Sequence, residues 1–282
     1  MNSISVCTIY AKRKSHLRNL VRGLIESADY PKELVIVCMN DRLPQLPPTP
    51  FKIITANVES TSTTLPLAAA RNKAAAIATG NKLIFLDVDC IGDRNLIKIF
   101  DEHLEQEEAL YSGSVRYLKQ DWQQNNWTIE SLDQYSSVHE LQGKVPDDLQ
   151  KIAHPYELFW SLNFGISQQA FNHLGGFDEG YKGYGGEDTD FAFTARSHQL
   201  PCYKVGAVAY HQYHPTFSPP LNHLADIVSN ARVFYHKWGV LPMEKWLRQF
   251  VDLGYIKLVG HEISIIKFPT ATEIQACQIS SQ

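Results

Sequence analysis

The chain has 282 residues, 44% of them hydrophobic and 20% charged, with a formal net charge of −4. Those proportions are those of an ordinary globular protein; they exclude a long disordered arm and a strongly basic nucleic-acid binder. Lys12-Arg13-Lys14 is a short basic cluster that suits a phosphate contact or a solvated loop equally. The five cysteines, Cys7, Cys38, Cys90, Cys202 and Cys277, form no CxxC pair and are odd in number, which argues against a disulfide framework or a zinc knuckle and for a reducing compartment. No apolar stretch approaches the ~20 residues of a membrane span, and the first residues lack the pattern of a signal peptide. The expectation is a soluble cytoplasmic protein without an integral membrane segment, peripheral attachment being left open.

In chain order the first half alternates strand and helix signals. Ser5 to Tyr10 is β-branched and aromatic, and Leu17, Leu20, Val21 and Leu24 then fall at helical spacing until Pro31 breaks the pattern. Leu34-Val35-Ile36-Val37-Cys38 is a continuous apolar run of the kind that parallel sheets bury on both faces. Residues 43–50, rich in proline, read as a loop, and Phe51 to Thr55 as a third strand. Ala68 to Thr79 reads as a helix with Gly80 as its C-cap, and Lys82 to Leu86 as a strand running directly into Asp87-Val88-Asp89. This order implies an open α/β sheet, in which ligands collect at the carboxyl ends of strands.

Beyond residue 110, Tyr111 to Tyr117 reads as a strand and residues 119–155 as an irregular, substrate-facing loop or lid. A strand at Phe164 to Ser167, a helix from Gln168 to Leu174, a helix from Asp188 to His198 and a strand from Cys202 to Tyr210 follow. The tail carries two helical segments, about 221–237 and 242–254, whose Trp238, Trp246, Phe250 and Leu253 are expected to pack it onto the domain. The last stretch of about fifteen residues reads as polar and frayed.

Three constellations carry chemistry. Asp87 and Asp89, one residue apart at a strand end, are oxygen ligands suited to Mg²⁺ or Mn²⁺, and on a strand both would face one ligand. Alone, the same pair also fits an aspartate-nucleophile phosphatase or a merely polar strand end. Gly183-Tyr184-Gly185-Gly186-Glu187-Asp188-Thr189-Asp190 joins glycines, which let a backbone approach a ligand, to carboxylates at a helix start. Those carboxylates favour the helix start in any case; the aromatic company of Phe177, Tyr181 and Tyr184 favours a sugar site. His211 and His214 end a strand and could share a metal if the chain bends between them, and imidazole points to Mn²⁺ more than Mg²⁺.

The order of these motifs resembles one family. Ala70-Arg71-Asn72-Lys73-Ala74, Gly80 and Phe85-Leu86-Asp87-Val88-Asp89 are similar to the nucleotide-sugar half of family 2 glycosyltransferases. Asn163-Phe164-Gly165-Ile166-Ser167, Gly175-Gly176-Phe177-Asp178-Glu179 and Gly185 to Asp190 resemble the acceptor half of β-1,4-galactosyltransferases and chondroitin-polymerase-like enzymes. The resemblance implies a GT-A (Rossmann-like) α/β fold, a mixed and mainly parallel sheet flanked by helices. Residues 1–215 would form the transferase domain, with a nucleotide-sugar half at 1–110 and an acceptor and catalytic half at 111–215; residues 216–282 would be a helical extension.

The resemblance also implies roles. Asp89 would ligate the metal, with His211, His214 or both beside it, and Asp87 would contact the ribose or lie in the metal's outer shell. Arg71 would sit near the diphosphate. Thr8 to Tyr10 and Arg13, following the first strand, would line the nucleotide pocket with Asn40 and Val88. Asp188 would be the catalytic base, Glu187 would hold a hydroxyl, and Asn163, Tyr184, Gly185 and Gly186 would meet substrate. The implied reaction is metal-dependent (Mn²⁺ or Mg²⁺) inverting transfer of a hexose or N-acetylhexosamine from a UDP-sugar to a glycan or other hydroxyl acceptor. A non-catalytic sugar-binding scaffold on the same fold is the rival reading, ahead of a phosphatase.

Overall fold

The computed structural model describes residues 3–60, 64–122, 126–147 and 150–279. The first half runs β1 (Ile4–Tyr10), α1 (Lys14–Ile25), β2 (Glu33–Met39), β3 (Lys52–Val58), α2 (Leu67–Ile77), β4 (Lys82–Leu86), β5 (Cys90–Gly92) and α3 (Leu96–Gln106). The second runs β6 (Leu110–Leu118), α4 (Ile129–Leu132), β7 (Ser136–Val138), β8 (Lys151–Ala153), β9 (Asn163–Ser167), α5 (Gln168–His173), α6 (Glu187–Ser197) and β10 (Cys202–His211). The remainder holds β11 (Thr216–Phe217), α7 (Leu224–Trp238), α8 (Glu244–Asp252), β12 (Ile256–Val259), β13 (Glu262–Ile265), α9 (Ala271–Ala276) and β14 (Gln278–Ile279). No helix among the described residues is long and apolar enough to cross a membrane.

The main sheet has the order β3-β2-β1-β4-β9-β6-β10-β5. The strands β3, β2, β1 and β4 are mutually parallel, as are β6 and β10, while β9 runs antiparallel to both β4 and β6. β1 and β2 are buried along their whole length, which is why their sequences read as unbroken apolar runs. Leu17, Leu20, Val21 and Leu24 of α1 bury on one side of the sheet, and Ala68, Ala70, Ala74 and Ala75 of α2 on the other. Alanine lets α2 lie close to β1 and β2, and that proximity carries Arg71 to the ends of the strands.

Gly80 is not a helix cap. α2 ends at Ile77, Ala78 is extended, and Gly80 instead donates its N–H to Ser5 Oγ at 2.9 Å. A Cβ there would stand 2.2 Å from the Ser3 carbonyl oxygen, so close approach to the edge of β1 is what demands glycine.

The stretch expected to be an irregular lid has a core of its own. Trp122, Trp127, Ile129 and Leu132 bury together against Ile91 and Tyr210. Within the extension, Leu224, Ile227, Val228, Leu247 and Phe250 form a separate core. Cutting Leu247 to alanine there would cost about 2–5 kcal/mol. Alongside the two expected helices stands the β12–β13 hairpin. The terminal stretch is structured rather than frayed: Thr270 and Glu273 form a capping box on α9, and β14 pairs with β11; residues 280–282 lie outside the described residues. Phe250 is fully buried and Trp246 leans on this core, but Leu253 is 47% exposed and does not pack as expected.

Candidate active site

Asp87, Val88 and Asp89 occupy the turn between β4 and β5, closed by the Cys90 N–H donating to the Asp87 carbonyl at 2.8 Å. They do not continue the strand, so the two carboxylates are not held to one face. Asp87 turns to Arg71, 3.6 Å away, while Asp89 Oδ2 meets Arg13 and lies 3.7 Å from His214 Nε2. Val88 between them is buried in the core with α1. Burial, opposed by Arg71 and reinforced by Asp89, pushes Asp87 up to about 6. Burial would raise Asp89 as well, but Arg13 holds it below the usual carboxylate value.

The histidines reach the same place because the chain bends where it must. His211 is the last residue of β10, paired with Cys90 of β5 and Tyr117 of β6. Gln212, 0% exposed, then fastens the turn: its N–H donates to the Asp89 carbonyl at 2.6 Å, its Nε2 to the His16 carbonyl at 3.1 Å, and its Oε1 accepts from Asn19 at 2.8 Å. The His211 and His214 rings come within 5.2 Å of each other, centroid to centroid.

These residues fit a divalent cation. One ligand atom from each of Asp89, His211 and His214 lies within 4.8 Å of the other two. Asp89 Oδ1 and His211 Nδ1 are buried without a hydrogen-bond partner among the described residues, and such groups are costly unless something else satisfies them. Burial, against the pull of Asp89, drives His211 down to about 3; its imidazole is therefore neutral, the form that ligates metals.

The second constellation meets the first through Arg71. Only 4% exposed, Arg71 donates from Nη1 to Glu187 Oε1 at 3.1 Å, with its guanidinium 5.2 Å from the Phe177 ring centre. One side chain on α2 thus links the β4–β5 turn to the start of α6. Glu187, Asp188 and Asp190 fill the first turn of α6, where the helix N-terminus favours negative charge. Asp188 Oδ1 accepts from the Thr189 N–H at 2.8 Å. Burial first, then the Glu187 carboxylate, raise Asp188 well above the ordinary range against the pull of Arg71. Gly186, with φ of 91°, opens the helix from the left-handed region, and Gly183 and Gly185 share that conformation. Tyr184, 40% exposed, stacks on His223 at 4.5 Å. Burial of its hydroxyl, then Asp188 and Glu187, raise its phenol.

Other expected site residues are less well gathered. Thr8 borders a small cavity with Arg71, Asp87 and Ser161, and its buried Oγ1 has no partner among the described residues. Tyr10, by contrast, packs into the core beneath α1. Asn40, at φ of 48°, accepts from the Ser60 N–H at 2.8 Å and so ties the end of β2 to the chain beyond β3. Asn163 is 1% exposed and donates to the carbonyls of Ala207 at 2.8 Å and Ser114 at 3.3 Å, bracing β6 and β10 where the register of β10 shifts. Gln212 and His16 were missed by the sequence reading; the position of Gln212 between two candidate ligands was the available signal.

The family model described as glycosyltransferase-like family 2 matches residues 51–208, from β3 almost to the end of β10. The chain belongs to that family. Its central sheet and flanking helices match GT-A neighbours. The crystal structure of GalNAc-T7 with UDP, GalNAc and Mn²⁺ matches with a TM-score of 0.53 at 16% identity, over 75% of this chain and 43% of that one. TarS 1-349 from S. aureus matches with a TM-score of 0.53 at 14% identity, over 90% of this chain and 73% of that one. At those identities the likeness is one of fold. Validoxylamine A glucosyltransferase of Streptomyces hygroscopicus subsp. jinggangensis (strain 5008) is 37% identical over 57 residues, which is 20% of this chain and only 14% of that protein.

Proposed function

We propose that this glycosyltransferase moves a hexose or N-acetylhexosamine from a UDP-sugar to a hydroxyl of a glycan or other acceptor, in one displacement with inversion. What supports the reading is the position of Arg71, which touches Asp87 of the β4–β5 turn and Glu187 of the α6 start at once. One buried guanidinium thus joins a carboxylate assigned to the nucleotide side to one assigned to the acceptor side.

In this reading Asp188 takes the proton of the acceptor hydroxyl as that oxygen attacks the anomeric carbon. The new bond is oxygen to anomeric carbon; the bond that breaks is anomeric carbon to phosphate oxygen, and its electron pair leaves with the nucleoside diphosphate. Glu187 holds a hydroxyl of donor or acceptor, and Tyr184, Gly185 and Gly186 border the sugar. Arg71 and Arg13 present positive charge where the diphosphate gathers negative charge, and Thr8 borders the nucleotide. Asp89, His211 and His214 would hold Mn²⁺, or Mg²⁺ less well, and such an ion supplies Lewis-acid charge stabilisation to the leaving diphosphate. GalNAc-T7, on the same fold, holds UDP and Mn²⁺ in its crystal structure, and that supports the same choice for this chain. Residues 1–215 act as the transferase domain, with a nucleotide side at 1–110 and an acceptor side at 111–215.

A thermal-shift screen of UDP, GDP and dTDP, each with and without Mn²⁺, tests the donor assignment. A ligand at ~100 times its Kd stabilises the folded state by about 2.7 kcal/mol, and UDP with Mn²⁺ is expected to give the largest shift. A larger shift with GDP or dTDP would replace UDP. Transfer with retention of anomeric configuration, read by NMR on the first product formed, would overturn the mechanism.

A further inference from the structure

α7 presents two faces. Leu224, Ile227, Val228 and Ala231 bury in the core of the C-terminal extension. On another stripe Asp226, Asn230 and Lys237 recur at helical spacing: Asp226 and Asn230 are directed at the loop that leads into α6, and Lys237 at Asp190 within α6. Asn230 is 1% exposed, and its amide is spent on that loop: Oδ1 accepts from the Lys182 N–H at 3.1 Å, and Nδ2 donates to the carbonyls of Gly185 at 2.8 Å and Lys182 at 3.0 Å. Asp226 accepts from the Tyr184 N–H at 3.3 Å, and its carboxylate lies 2.2 Å from where a Cβ on Gly183 would stand. At the far end of the helix Lys237 and the Trp238 indole N–H both bond the buried Asp190 carboxylate, at 2.9 and 2.7 Å.

A buried amide side chain is costly unless it is fully bonded. Loop backbone with left-handed residues at positions 183, 185 and 186 cannot pair its polar groups in regular structure, so they need partners from outside. We propose that Asn230, seconded by Asp226, is a positioning residue for the catalytic loop. It holds residues 182–186 in the curl that aims Asp188 at the acceptor hydroxyl, so the C-terminal extension is a working part of the acceptor side. The proposal rests on the reading of Asp188 as base.

Asn230→Asp tests it in the full chain, because it keeps the shape, loses all three donated bonds, to the carbonyls of Lys182, Tyr184 and Gly185, and sets an oxygen against the Gly185 carbonyl. Misplacement of a catalytic group by about 1 Å costs on the order of 100-fold, and turnover of the UDP-sugar used by wild type is expected to fall at least ~10-fold. Affinity for UDP with Mn²⁺ is expected to stay near wild type, while amide exchange speeds up in residues 182–190 and not in β1 to β4. Leu247→Ala, which weakens the same extension without removing any of the loop's bonds, is expected to keep wild-type turnover below its melting temperature. Wild-type turnover and loop exchange in Asn230→Asp would overturn the proposal, as would an equal loss of turnover in Leu247→Ala. Should Asn230→Asp not fold, Asp226→Ala, which removes the acceptor of the Tyr184 N–H, carries the same test: faster loop exchange with reduced turnover supports the proposal, and wild-type values for both overturn it. Asp188→Asn is measured alongside. If it keeps turnover, the base reading falls, yet loop exchange in the Asn230 variant still reports whether α7 holds the loop.

Discussion

Asp89 and Asp188 are two carboxylates whose proton affinities are displaced in opposite directions. Asp89 lies in the β4–β5 turn and Asp188 in the first turn of α6, and each is desolvated. Arg13 holds Asp89 below the usual range against its burial, whereas burial, then Glu187, hold Asp188 above it in spite of Arg71. The difference teaches that neighbours, not residue type, divide the work. A carboxylate kept anionic is a ligand; one that binds its proton more readily is a base able to accept a proton near neutral pH.

The comparison can be broken at either carboxylate. Asp188→Asn should cause the largest loss, about 10²–10⁴-fold in kcat, measured as turnover with saturating donor. Asp89→Ala should weaken Mn²⁺-dependent UDP binding by at least the ~10–100-fold that loss of even an outer partner of a metal ligand costs, read by calorimetry. Sharpening comes from pH. A base works when deprotonated, so kcat should fall as pH drops through the raised Asp188 value, above the ordinary carboxylate range. Glu187→Gln removes the charge that raises Asp188 and releases Arg71 to act on it, so the acidic limb should move to lower pH; a limb that stays put or moves up would separate the two residues. The smallest effect is on stability. Because the folded-state value of Asp188 is raised, its contribution is fully present below the unfolded value and lost as pH rises through the folded one. At neutral pH Asp188→Asn should therefore melt higher, by about 2 °C or more.

Much of this was legible in the sequence for identifiable reasons. The unbroken apolar run of β2 reports burial on both faces, and Asp87-Val88-Asp89 after an apolar run reports the end of a strand. The glycines before Glu187 report left-handed backbone. What was not legible depended on contacts distant in sequence. The two aspartates part company because the chain turns after Leu86, and nothing local marks that turn. Asn163 looked like a substrate contact, yet it braces a shifted strand whose irregularity only pairing reveals. The polar stripe of α7 escaped notice because the aromatic residues of the tail dominate its pattern. The partners of Asn230 are backbone groups of a loop 45–48 residues away, which carry no side-chain signature.

The most direct test of the division of labour is to titrate UDP, with and without Mn²⁺, into Asp89→Ala and Asp188→Asn side by side while measuring the turnover of each. The account predicts that Asp188→Asn binds UDP as wild type does, retains the Mn²⁺ dependence and turns over poorly, whereas Asp89→Ala loses the Mn²⁺ dependence. Wild-type turnover in Asp188→Asn, or Mn²⁺-dependent binding that survives in Asp89→Ala, would contradict it.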